Sequence, residues 1–184
     1  MKKPIQLLLI ASLFAIFSCN QKSETTTATV SEEPTDQSVG QEGVIDETSN
    51  PNIVQVASGS KDHTTLVAAV KAAGLVTSLS NAGPFTVFAP TNAAFDKLPA
   101  GTVDNLLKPE NKGDLENILG YHTYVGKLQT EYMQDGQKFD MVYGGKVTIT
   151  KKDDKVFING TEILATIPTS NGIIYVIGDV LLPK

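Results

Sequence analysis

The sequence predicts an α+β domain, with helices first and strands afterwards. Three observations carry that expectation. Apolar residues recur at helical spacing between Asn52 and Asn81, the period changes to two from Tyr121 onward, and Ile173 to Ile177 is a β-branched run apolar on both faces. Such a run belongs in the middle of a sheet, where neither face meets water.

Each element follows from local chemistry. Asp62 precedes Leu66, Val67, Val70 and Ala73, an i, i+4, i+7 stripe that ends where Gly74 can serve as C′ residue. Leu75, Val76 and Leu79 start a second short helix, stopped by Asn81-Ala82-Gly83. Pro84 can only begin a strand or sit on its edge; Phe85, Val87 and Ala89 then alternate with Thr86 and Phe88, and Pro90 closes the strand. Thr91-Asn92 offers an N-cap for a short helix carrying Ala94, Phe95 and Leu98. Thr102 can cap a helix over Val103 to Leu107, ended by Pro109, and Asp114 to Leu119 is a further helical segment with Leu115, Ile118 and Leu119 inward. Strands are then expected from Tyr121 to Val125, Lys138 to Tyr143, Lys146 to Thr150 and Val156 to Ile158, with turns at Gly144-Gly145 and Asp153-Asp154. Glu162 to Ile167 and Ile173 to Leu182 complete the sheet, entered through a turn at Ser170-Asn171-Gly172 that uses the tolerance of Asn and Gly for positive φ.

Two of these stretches, GPFTVFAPTNAAF (83–95) and SNGIIYVIGDVLLPK (170–184), with Tyr121-His122 between them, resemble the fasciclin domain. Members of that family share a first box ending T-x-F-A-P-T-N-x-A-F and a second reading N-G-x-I/V-H/Y-x-I-x-x-V-L-x-P. Thr86, Phe88 to Asn92, Phe95, Asn171, Gly172 and Pro183 all fall in place, and the resemblance spans residues 51–184. It implies a wedge-shaped β-sandwich flanked by a helical layer, and a non-enzymatic adhesion or interaction role. The box residues Phe88, Pro90, Thr91, Asn92, Asn171, Gly172 and Ile177 are read as structural, with Phe88 and Ile177 in the core and Asn92 satisfying backbone groups after the first strand.

In animal members a Tyr-His pair with bulky apolar neighbours serves integrin-dependent adhesion. The matching pair is Tyr121-His122, with Ile118, Leu119 and Leu128 as neighbours, which makes these the candidate partner-binding residues. Neighbours in a strand face opposite ways, so one ring is expected to brace the core and the other to reach the surface. A second adhesion determinant, an Asp-Ile pair, falls on Thr166-Ile167, where the acid is missing. Tyr175 stands where many members carry His, and Gly178 where many carry Asp; the glycine is expected at a bulge or a close backbone approach.

The N-terminal part reads differently. Met1-Lys2-Lys3 and the apolar stretch Ile5 to Phe17 form a signal-peptide core over residues 1–18, too short for a permanent helical span. It ends in Ile16-Phe17-Ser18-Cys19, which resembles the lipobox of bacterial lipoproteins, and Cys19 is the chain's single cysteine. An unpaired thiol in an exported protein is explained by a thioether to lipid, so Cys19 is the expected lipidation site; an ordinary secretory signal is the alternative. Residues 20–50 hold seven acids against Lys22 and no aromatic residue, a composition that cannot offset its ordering entropy. They read as a disordered spacer reaching about 30 Å, with an acidic ligand-binding tail as the competing reading.

Composition excludes several functions. The net charge of −5 comes mostly from the spacer, and the chain has no arginine, so bidentate recognition of phosphate or guanine is missing and a nucleic-acid partner is not expected. No G-x-S-x-G elbow, H-E-x-x-H, C-x-x-C or phosphate-binding glycine loop occurs, so no catalytic residues, metal or cofactor are assigned. His63, in a polar helical turn, is expected to face solvent; a metal held by His122 with Asp140 or Glu162 is the alternative for the second histidine. Asn159-Gly160-Thr161 matches the glycosylation sequon and is read as a turn. The expectation is a monomeric adhesion module lipid-anchored in a bacterial envelope, at the outer membrane or cell surface, with a surface protein or polysaccharide as partner. The alternative is a small-molecule or lipid-binding domain with a cleft near Tyr121-His122.

Overall fold

The computed structural model describes residues 50–183; the expectations for the leader, Cys19 and the spacer up to residue 49 lie outside the described residues. The helical half opens with α1 (Ile53–Gly59), started by a capping box in which Asn52 Oδ1 accepts from Gln55 N–H and Gln55 Oε1 from Asn52 N–H, both at 2.9 Å. A 3₁₀ turn (Lys61–His63) leads into α2 (Thr64–Ala73), which Gly74 ends in the left-handed region at φ 74°, as the apolar stripe predicts. Then come α3 (Val76–Ser80), β1 (Phe85–Pro90), α4 (Asn92–Phe95), α5 (Thr102–Leu106) and α6 (Lys112–Tyr121). Gly101 at φ 81°, rather than Thr102, stands at the N-cap of α5, and Thr91 occupies the N-cap of α4 without a side-chain bond to it.

The strand half comprises β2 (Thr123–Val125), β3 (Lys138–Asp140), β4 (Lys146–Lys152), β5 (Lys155–Ile158), β6 (Thr161–Thr169) and β7 (Gly172–Ile177). Together with β1 they form one seven-stranded sheet in the order β2-β1-β7-β6-β5-β4-β3. Only β1 and β7 run parallel; the other neighbours are antiparallel. The sheet curls until its ends meet: Val142 N–H, just past β3, bonds Thr123 C=O in β2 at 3.0 Å, and the Tyr124 and Phe139 rings meet edge-to-face at 5.4 Å. This contact shortens the open edge that the two end strands would otherwise present for pairing with another chain.

This α+β fold carries two cores, and the strand period of two assigns side chains to each. Val87, Ala89, Ile174 and Val176 face the helices, where they join Ile53, Leu66, Val70, Leu79, Leu115 and Leu119. Phe88, Ile173, Tyr175 and Ile177 face into the curled sheet, with Met141, Val147, Ile149 and Ile158. Every residue of β7 is buried, as expected of a two-sided central strand.

The Ser170-Asn171 turn exists, but neither Asn171 nor Gly172 has positive φ. Asn171 is there for its amide: Oδ1 accepts from Ile53 N–H at 3.0 Å, while Nδ2 donates to the carbonyls of Leu79 and Asn81 at 2.8 and 3.0 Å. Gly172 is there because a Cβ would collide with the Phe85 carbonyl across the parallel β1–β7 pair. The expected irregularity at Gly178 lies instead on the facing strand, as a register shift between Ile163 and Ala165.

Candidate functional site

The structure corrects the expectation for Tyr121-His122. Helix α6 runs on through Tyr121, with His122 N–H bonded to the Ile118 and Leu119 carbonyls, and the strand begins at Thr123. Both rings are buried, Tyr121 at 3% and His122 at 2% exposure, so neither reaches the surface. Residues that would face a core and solvent in a strand instead enter the two separate cores: Tyr121 packs inside the curled sheet, and His122 lies beside Leu119, Val87 and Ile174 under the helices.

Each ring is fixed by hydrogen bonds to distant segments. Tyr121 donates its hydroxyl proton to Lys146 C=O at 2.9 Å and accepts from Asn159 Nδ2 at 3.0 Å. Asn159 Oδ1 in turn accepts from Thr148 N–H, so the sequon asparagine serves as a clamp within the 159–160 turn, at φ 49° and 88°. Gly145, at φ 77°, approaches so closely that a Cβ there would lie 2.7 Å from the Tyr121 ring. His122 Nδ1 lies 2.8 Å from Ile118 C=O, and Nε2 accepts from Leu181 N–H at 2.9 Å. A carbonyl can only accept and an amide only donate, which assigns the neutral Nδ1–H tautomer. Burial pushes the imidazole down to about 4, against a smaller opposing effect of the Ile118 carbonyl. The His122 carbonyl also accepts from Phe88 N–H at 2.9 Å, tying the helix end to β1. With both ring nitrogens engaged, Asp140 paired to Lys146 and Glu162 to Lys155, the His122-centred metal arrangement is not assembled.

The other candidates frame this junction. Leu128 is half-buried, its N–H donated to Thr86 Oγ1 at 3.0 Å and its carbonyl accepting from Tyr175 O–H at 2.6 Å. Tyr175 is fully buried, its ring stacked on Phe88 with centroids 5.7 Å apart, and burial raises its hydroxyl to about 12. Ile118 is half-buried on α6. Asn92 reaches across to the start of α2: its Oδ1 accepts from Thr65 N–H at 3.0 Å and Thr64 O–H at 3.2 Å, and its Nδ2 donates to Lys61 C=O at 2.9 Å. Phe88 and Ile177 are buried inside the curled sheet, and Pro90 at the end of β1 is buried too. His63 is a correction too: it is 5% exposed, with Nδ1 2.8 Å from Ser60 Oγ and Nε2 unpartnered, and burial lowers its pKa.

What the junction presents to solvent was not read from the sequence. Val142 (45% exposed) hangs on Thr123 C=O; Tyr143 (51%) lies over Gly120, where a Cβ would strike its ring; Leu182 (50%) follows Leu181, which the His122 ring holds. The available signal was Val142-Tyr143 directly before Gly144-Gly145: a tight turn brings such side chains out of a strand. Thr166, at the second adhesion position, is exposed on β6, and Ile167 is half-buried against the helical core.

A helical layer, a curled mixed sheet and two boxes meeting at the parallel β1–β7 pair define a fold also seen in a FAS1 domain pair from the insect cell adhesion molecule Fasciclin I. The TM-score is 0.61 at 16% identity, over 72% of this chain and 51% of that one. A family model described as "Fasciclin domain" matches residues 61–183, and the chain belongs to that family. Among its relatives is protein sll1483 of Synechocystis, 53% identical over 132 residues that cover 71% of this chain and 73% of that protein. Another is the cell surface glycolipoprotein MPB83 of Mycobacterium bovis, 40% identical over 103 residues, which are 56% of this chain and 46% of the relative.

Proposed function

We propose that this protein is a non-enzymatic adhesion module whose partner-binding surface is the apolar set Val142, Tyr143 and Leu182, held outward by the buried Tyr121-His122 pair. The observation that carries the reading is that two segments next to this pair, the 141–145 turn bonded to Thr123 and the C-terminal segment held by His122, expose Val142, Tyr143 and Leu182. Exposed apolar residues that gather around a rigid support mark interaction surfaces. Membership in a family that includes a cell adhesion molecule and a cell surface glycolipoprotein supports the same reading.

The partner is a surface protein or polysaccharide, since the Tyr143 ring can pack on an apolar side chain or on the face of a sugar. Residues 1–18 act as a leader, Cys19 carries the lipid, residues 20–50 are the spacer, and 51–184 the adhesive domain at the envelope. Among the described residues no helix is long and apolar enough to cross a membrane. The test is Tyr143→Ser with Val142→Ser, scored by adhesion of cells displaying the protein and by urea denaturation. Both side chains are exposed, so stability should change by less than about 0.5 kcal/mol each while adhesion falls. Full adhesion by the double variant refutes this surface. The alternative, a small-molecule or lipid site near Tyr121-His122, is supported by an apolar cavity that His122 lines.

A further inference from the structure

Between the helices and the sheet lies a cavity of about 30 Å³, walled by Ala57 and Val54 of α1, Val67 of α2, Val76 of α3, Leu119 and Thr123. Its volume exceeds the roughly 10–15 Å³ that one water needs, but a water also needs polar partners. Few face it: both His122 nitrogens are bonded, Thr123 Oγ1 has given its proton to Leu119 C=O, and Lys71 stands at the rim. The space therefore favours an apolar group. Directly outside runs an open groove of about 480 Å³ over Ser58, bounded by the same Val54, Lys71 and Val76 that border the cavity. These three residues form the threshold between the two spaces. Lys71 is exposed, and its ammonium makes no ion pair or hydrogen bond among the described residues.

From this we infer that α1, α2 and α3 form a site for a single-chain amphiphile with a carboxylate head on Lys71, its tail lying along the groove and its end crossing the Val54–Val76 threshold into the cavity, which takes only one or two methylenes. The inference rests on the small-molecule reading and makes it specific. An apolar space of this size gains contacts when one or two methylenes fill it. One lysine, with no arginine fork or backbone cradle beside it, matches a monoanionic head better than a phosphate. The site lies on the helical face and is lined by residues other than Val142, Tyr143 and Leu182, so adhesion and ligand binding are separable functions.

The test is calorimetric titration of the full-length protein with decanoate, decanol and decylammonium, repeated on Lys71→Gln and Ala57→Leu. Decanoate should bind saturably, roughly fivefold tighter than decanol, as one partly exposed ion pair allows, and decylammonium weakest. Lys71→Gln should bring decanoate down to decanol without changing decanol. Ala57→Leu, which places bulk in the cavity, should weaken both; its melting temperature is recorded, and if it does not fold, the same question is answered by octanoate binding more weakly than decanoate. Equal binding of decanoate and decanol to wild type overturns the carboxylate assignment and leaves the apolar site standing. Absence of saturable binding by any of the three probes overturns the small-molecule reading itself.

Discussion

Acidification should unfold this protein partly through one residue, His122. Its native form is neutral, since protonating Nε2 would aim an N–H at the Leu181 N–H it now accepts from. With a native value of about 4 against 6.5 in the unfolded chain, the proton binds the unfolded state first. Stability from this group is therefore complete above pH ~6.5, falls as the pH drops through that value, and is exhausted near pH ~4. At ~1.4 kcal/mol per pH unit the loss is about 3 kcal/mol, a large share of the stability of a domain this size. The assay is urea denaturation from pH 7.5 to 4 of the wild type and His122→Gln, whose side chain stays neutral throughout. The variant should start about 1–3 kcal/mol less stable, having lost a buried acceptor for Leu181, and on acidification the wild type should lose about 3 kcal/mol more than the variant, closing or reversing that gap. His63, also held below its usual value by burial, is present in both proteins and cancels in the difference. Curves that stay parallel across the range would refute a neutral, buried His122.

Other expectations follow from the same contacts. Tyr121→Phe keeps the ring but leaves Lys146 C=O and Asn159 Nδ2 unpaired, so a loss of about 1–3 kcal/mol is expected in urea denaturation. Gly172→Ala should cost about 3 kcal/mol or more, because the new Cβ meets the Phe85 backbone. The atoms nearest a Cβ at Gly120 all belong to the half-exposed Tyr143 ring, so Gly120→Ala should displace that ring from its place and lower adhesion, with the urea midpoint recorded alongside. Cys19→Ser should move the protein from the membrane to the soluble fraction with the domain still folded; unchanged membrane retention counts against the lipid anchor.

The strands nearest the boxes were legible because their patterns admit one reading. A run apolar on both faces, as in Ile173 to Ile177, has to be central, and it is. The end of α6 was not legible. Tyr121, Thr123 and Val125 alternate like a strand, yet Leu115, Leu119 and His122 stand at i, i+4 and i+7 and continue a helix equally well. A local bond of the His122 ring to Ile118, one turn back, and a long-range one from Leu181 N–H decided between them. His63 was hidden by Lys61, Asp62 and Thr64, polar neighbours that suggest solvent, whereas the 3₁₀ turn rotates the ring inward onto Ser60. Asn92 was expected to serve its own helix; its amide instead bridges to residues 61–65, a long-range bond that no local pattern announces.

The burial of Tyr121 and His122 changes what a substitution there means. In a strand, one ring would have been the contact itself, and its removal would report binding directly. In this fold the pair sits where α6, β1, the 141–145 turn and the C-terminal segment meet, linked to them through Lys146, Phe88 and Leu181. Removing either ring should therefore loosen Val142, Tyr143 or Leu182 before any of them touches a partner. Lost adhesion in a Tyr121 or His122 variant is then the same observation as lost packing, and only substitutions that spare the cores can separate the two. Tyr143 offers that separation, because its ring is exposed while the buried bonds of Tyr121 and His122 do not involve it.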